Sequence, residues 1–86
     1  MSQQASLSDY QKRQEQFARH RALILQILVA HPQGLTHEQI REREREAFGF
    51  MFMTDNRLRE LREAGLVVSE KRDNGLLYWR VKEMEA

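Results

Sequence analysis

Residues 54–82, TDNRLRELREAGLVVSEKRDNGLLYWRVK, decide the fold. Leu58 and Leu61 fall at helical spacing with polar residues between them, so the stretch opens as an amphipathic helix. Gly65 ends it, because a glycine just past the last apolar position takes the left-handed conformation that satisfies the final carbonyls. Leu66, Val67 and Val68 then favour extended backbone. Asn74-Gly75 accepts positive φ at both central positions of a two-residue turn and joins a strand near 66–72 to another near 76–82. Pairing across that turn sets Val68 opposite Val81, Glu70 opposite Trp79 and Arg72 opposite Leu77. Val68, Trp79 and Val81 then face the helices, with Ser69, Lys71, Tyr78 and Arg80 on the other side.

Upstream, FARHRALILQILVAH is an apolar helix stopped by His31-Pro32-Gln33-Gly34, since proline disfavours helix in the residue before it. Ser8-Asp9-Tyr10-Gln11 reads as a capping box, which starts this helix at Ser8 and carries it to about Ala30, with Phe17, Ile24, Ile27 and Leu28 on one face. Leu35 is a short extended piece. Thr36-His37-Glu38-Gln39 is a second capping box, with Ile40 as the first inward residue of the next helix. The run Arg41-Glu42-Arg43-Glu44-Arg45-Glu46 is expected to be a solvated face. Ala47 to Met53 carries three phenylalanines and two methionines: Phe48 is expected in the core, with either the whole run buried or part of it exposed as a surface for a partner.

The segment LRELREAGLV, followed by a basic hairpin closing on LLYWRV, resembles the recognition helix and wing of the winged helix-turn-helix superfamily. FARHRALILQILVAH and GLTHEQI stand where that superfamily has its first two helices, so the resemblance spans roughly residues 17–82. It implies a mainly α fold with a small β-hairpin, three helices plus a wing. The expected organisation is a flexible tail over 1–7, a single domain over 8–83 with an extended first helix, and a second tail over 84–86. Members bind DNA in most cases, RNA in some and only proteins in others. A DNA-binding transcriptional regulator of the small bacterial or phage type is therefore expected, with double-stranded DNA as its partner.

Composition bounds this reading. The 86 residues make one small domain, and the formal charge of +1 is spread with a mild bias. Residues 54–82 hold seven basic side chains against five acidic ones. Cysteine is absent, which excludes disulfides and thiolate zinc ligation. No apolar run approaches membrane-spanning length and no secretion signal is apparent, so a soluble cytoplasmic protein without membrane partners is expected. His20, His31 and His37 share no metal-binding spacing, and neither a phosphate loop nor a nucleophile–base arrangement is present, so no enzyme activity, metal or cofactor is expected.

With Leu58 and Leu61 inward, a step of about 100° per residue turns Asn56, Arg59, Glu60 and Glu63 outward, with Asp55, Arg57 and Arg62 on the flanks. Asn56 suits adenine and Arg59 suits guanine, and each bidentate pair contributes about 1–3 kcal/mol of discrimination. Thr54 caps the helix or donates to a phosphate. Glu60 and Glu63 would oppose a polyanion. Lys71, Arg72 and Asn74 lie near the wing tip, where they either reach the backbone or merely protect an edge. The expected DNA-binding set is thus Thr54, Asp55, Asn56, Arg57, Arg59, Lys71, Arg72 and Asn74. Tyr10, Phe17, Phe50, Met51 and Phe52 form the expected surface for a homodimer or a protein partner. The Leu7, Tyr10, Gln14, Phe17 seam reads either as a short dimerising extension or as a solvated overhang.

Overall fold

The computed structural model describes residues 2–49, 51 and 53–82, with side chains described from residue 8 onward. Helix α1 spans Ser2–Val29, strand β1 Leu35–Thr36, helix α2 His37–Phe48, helix α3 Thr54–Glu63, and strands β2 Val67–Lys71 and β3 Leu77–Val81. The protein is mainly helical with one small antiparallel sheet in the order β1-β3-β2, an arrangement compatible with the expected winged one.

Helix α1 starts six residues earlier than the Ser8 cap requires. Ser8 lies inside the helix, because the preceding Gln, Ala and Ser residues contain no breaker and the helix simply continues through them. Residues 2–7 are therefore helical rather than a tail, while the 84–86 tail lies outside the described residues. At the other end Gly34 takes φ +95° and donates its N–H to His31 O at 2.9 Å.

The second capping box forms as expected: Gln39 N donates to Thr36 Oγ1 at 3.2 Å and Thr36 N donates to Gln39 Oε1 at 3.0 Å. Helix α3 ends in a Schellman motif, with Gly65 at φ +78°, Leu66 N bonded to Leu61 O at 3.0 Å and Gly65 N to Arg62 O at 2.9 Å. The N-terminal cap of α3 is Met53, in left-handed backbone at φ 61° and without a side-chain cap. Thr54 is the first helical residue, so the capping role expected for it is not taken up.

The hairpin register differs by one residue from the sequence expectation. The observed pairs are Val67↔Val81, Ser69↔Trp79 and Lys71↔Leu77 on one face, and Val68↔Arg80 and Glu70↔Tyr78 on the other. The reason lies in the turn. Gly75 N bonds Arg72 O at 2.8 Å and Arg72 N bonds Leu76 O at 3.0 Å, leaving a three-residue loop of Asp73, Asn74 and Gly75. Only Gly75, at φ +81°, is left-handed there; Asn74 is not. One extra loop residue moves the whole of β2 to the opposite face. Val67 takes the core position expected for Val68, and Ser69 and Lys71 share the face of Trp79. Strand β1 completes the sheet through Leu35↔Trp79 and Thr36↔Tyr78.

The core is Ile24 and Leu28 from α1, Leu35 from β1, Ile40 from α2, Leu58 and Leu61 from α3, and Val67 and Trp79 from the sheet. Each fully buried aliphatic side chain contributes about 1.5–3 kcal/mol. Phe48 is not among them: it stands 44% exposed at the end of α2.

Candidate nucleic-acid interface

Three helices meet at one buried polar cluster. Glu44, inward on α2 one turn after Ile40, pairs through Oε2 with His20 Nε2 of α1 and accepts through Oε1 a 2.6 Å hydrogen bond from Thr54 Oγ1. His20, Glu44 and Thr54 are all at most 4% exposed. Glu44 is thus removed from the solvated run in which the sequence placed it, while Arg41, Glu42, Arg43, Arg45 and Glu46 are exposed as expected. Thr54 spends its hydroxyl inside the molecule, where no phosphate reaches it.

Arg57 is also turned inward. Its guanidinium lies 3.8 Å from the Phe17 ring centroid, and Nε and Nη2 each donate to the Glu60 carboxylate at 2.8 Å. Arg21 adds a third hydrogen bond to Glu60 at 2.8 Å. Partial burial alone would raise the Glu60 pKa, but the hydrogen bonds and charges of Arg57 and Arg21 outweigh it and hold this carboxyl below its ordinary value. Glu60 therefore faces α1 and is neutralised there. This corrects the outward placement that the wheel gave it, and it takes Arg57 off the candidate surface at the same time.

What remains outward on α3 is Asp55, Asn56, Arg59, Arg62 and Glu63. Arg59 is exposed, and Asn56 is half-buried with its amide directed at Met53 Sδ, 3.7 Å away. Arg62 donates to Ser69 Oγ at 3.1 Å and lies 5.3 Å over the Trp79 ring, which ties the last turn of α3 to the sheet.

At the wing tip Lys71 is exposed. Arg72 stacks 3.9 Å over Tyr78, donates to Glu70 Oε1 at 3.0 Å, and reaches across to the carbonyl of Gln33. The hydrogen bond from Arg72 is the main cause that holds the Glu70 pKa below its ordinary value. Asn74 accepts from Leu76 N at 3.0 Å and donates to Tyr78 Oη at 2.8 Å. Arg72 and Asn74 thus build and brace the tip, and Lys71 is the tip cation left without an ion-pair partner among the described residues.

Of the eight residues expected to meet DNA, four keep an outward polar group: Asp55, Asn56, Arg59 and Lys71. Three cations that the sequence reading passed over join them on the surface. Arg41, Arg43 and Arg45 on α2 are exposed and carry no ion pair among the described residues. The alternating RERERE run hid them. Because Glu44 turns into the core, the remaining surface of α2 is more basic than the run suggests.

Of the expected partner surface, Tyr10 is 61% exposed, and Phe17 and Met51 are half-buried. Phe50 and Phe52 lie outside the described residues. Phe17, Leu23, Phe48 and Met51, with Gln16 and Arg19, line an open groove of about 470 Å³ between α1 and the segment before α3. No helix among the described residues is long and apolar enough to cross a membrane, and no group of three or more His, Cys, Asp or Glu residues there is placed to hold a metal ion.

Together these features define, among the described residues, three helices with a braced hairpin beside an outward-facing α3. No protein-family model matches the chain, and no curated protein does.

Proposed function

We propose that this chain is a winged helix-turn-helix protein of the cytoplasm that binds double-stranded DNA and regulates transcription. Helix α3 enters the major groove, and the hairpin lies on the backbone. The observation that carries this reading is the sorting of charge on α3. Glu60 is withdrawn into ion pairs with Arg57 and Arg21, while Arg59 stands exposed and Asn56 lies one turn before it. In this reading Arg59 and Asn56 meet base edges, whereas Lys71 with Arg41 and Arg45 meets phosphates. Glu63 remains outward in the last turn, away from the N-terminal turns that reach deepest.

The experiment is a titration of the protein into fluorescent random-sequence duplex at low and moderate salt. Phosphate contacts release counterions, so affinity falls steeply between the two conditions. Binding that ignores salt, or no binding at all, overturns the proposal. In that case the exposed Phe48, which lines the groove, and the exposed Met53 favour a second reading, a winged-helix module that holds a protein.

A further inference from the structure

From Ser8 to Gln16 every side chain of α1 is exposed, although the helix is continuous there. Isolated helical turns of this length are marginal in water without packing. At a step of about 100° per residue, Asp9, Lys12, Gln16, Arg19 and Leu23 fall in one stripe about 80° wide, at alternating three- and four-residue spacing. Gln16, Arg19 and Leu23 of this stripe also line the apolar groove with Phe48 and Met51. Among the described residues Asp9, Lys12 and Arg19 have no ion-pair partner. Asp9 and Arg19, opposite in charge, are equidistant from the level of Gln14, and the polar Lys12 and Gln16 are equidistant from it as well.

We infer that this stripe is a homodimer interface in which two α1 helices pack antiparallel about a two-fold axis level with Gln14. The axis places Asp9 against Arg19 of the second copy, Lys12 against its Gln16, and each of these pairs twice. It also brings Ser2 of one helix level with Gln26 of the other, so the overhanging half of each α1 runs across the groove of its twin and covers Leu23. The match of Asp9 with Arg19 is what points to a second copy. An isologous contact requires complementarity of a surface with itself, and a stripe evolved for a different protein has no need of it. The assembly presents two α3 helices with two-fold symmetry, and it stands or falls independently of DNA binding.

The test is sedimentation of the full chain and of Asp9→Arg, Arg19→Asp and the double variant. Both changes are at exposed helical positions, and circular dichroism checks the fold. The wild type is expected to be dimeric at micromolar concentration. Each single reversal sets like charges against each other twice, weakening dimerisation about tenfold. The double variant restores the opposition of unlike charges and is expected to recover wild-type affinity. A monomeric wild type, single reversals without effect, or a double variant no better than the singles overturns the interface.

Discussion

Replacing Glu44 by alanine puts the helix-joining cluster to the test. Glu44 is 2% exposed, and its two oxygens serve His20 and the Thr54 hydroxyl. Truncation leaves a buried imidazole nitrogen and a buried hydroxyl without their partner, at about 1–3 kcal/mol each, besides a small void. The expected loss is about 3–5 kcal/mol. At about 0.05–0.15 kcal/mol per residue an 86-residue domain has about 4–13 kcal/mol in all, so the loss is a large share of it. Urea unfolding followed by the fluorescence of Trp79, the one tryptophan in the chain, reads the effect directly. With an m-value of about 1 kcal/mol/M, the midpoint falls by several molar or the variant is unfolded from the start. Glu42→Ala and Glu46→Ala are the controls, since both are exposed members of the same charged run and should stay within about 0.5 kcal/mol of wild type. If Glu44→Ala is as mild as these two, the cluster does not hold the helices together and the reasoning fails.

Three further outcomes are expected. Glu60 has a folded-state pKa below its ordinary value of 4.5, so its ion pairs stabilise the fold above that pH, and the contribution is lost as pH falls through the lower folded value. Acid unfolding of wild type and Glu60→Gln should therefore differ at neutral pH and converge in acid; a constant difference contradicts the assignment. Gly34→Ala places a Cβ 2.9 Å from Arg72 Nη2 at φ +95°, so it should dislodge the tip brace and lower Tm, an effect that the open Gly65, where only backbone conformation is strained, should show less strongly. Lys71→Ala should weaken binding to all duplexes about equally and flatten the salt dependence, as a lost phosphate contact does.

The start of α2 and the end of α3 were legible because single residues enforce them, whereas the start of α1, which no breaker marks, was not. Gly65 permits the left-handed step that closes α3, and Thr36 with Gln39 closes the α2 cap within four residues of chain, so neither depends on tertiary context. The hairpin register was not legible, because Asn74-Gly75 serves equally in a two-residue turn and at the end of a three-residue loop. The φ of Asn74 decides between them. Glu44 did leave a trace: it follows Ile40 by one turn on the inward stripe of α2, as His20 precedes Ile24 on α1. An imidazole and a carboxyl group on two inward faces form a pair only once the helices are docked. Arg57 was misplaced for a similar reason. A wheel centred on Leu58 and Leu61 cannot know that Phe17 lies within reach of its flank and that Glu60 waits on the same side.

The central claim, that the outer face of α3 reads base pairs, is tested most directly by selecting a preferred duplex from random sequence. The affinities of wild type and Arg59→Ala are then measured on that duplex and on each of its single base-pair variants. Loss of one bidentate contact of about 1–3 kcal/mol predicts binding weaker by roughly 5- to 150-fold, with discrimination erased at one position and intact at the others. An Arg59→Ala protein that keeps the full base preference of the wild type would contradict the account.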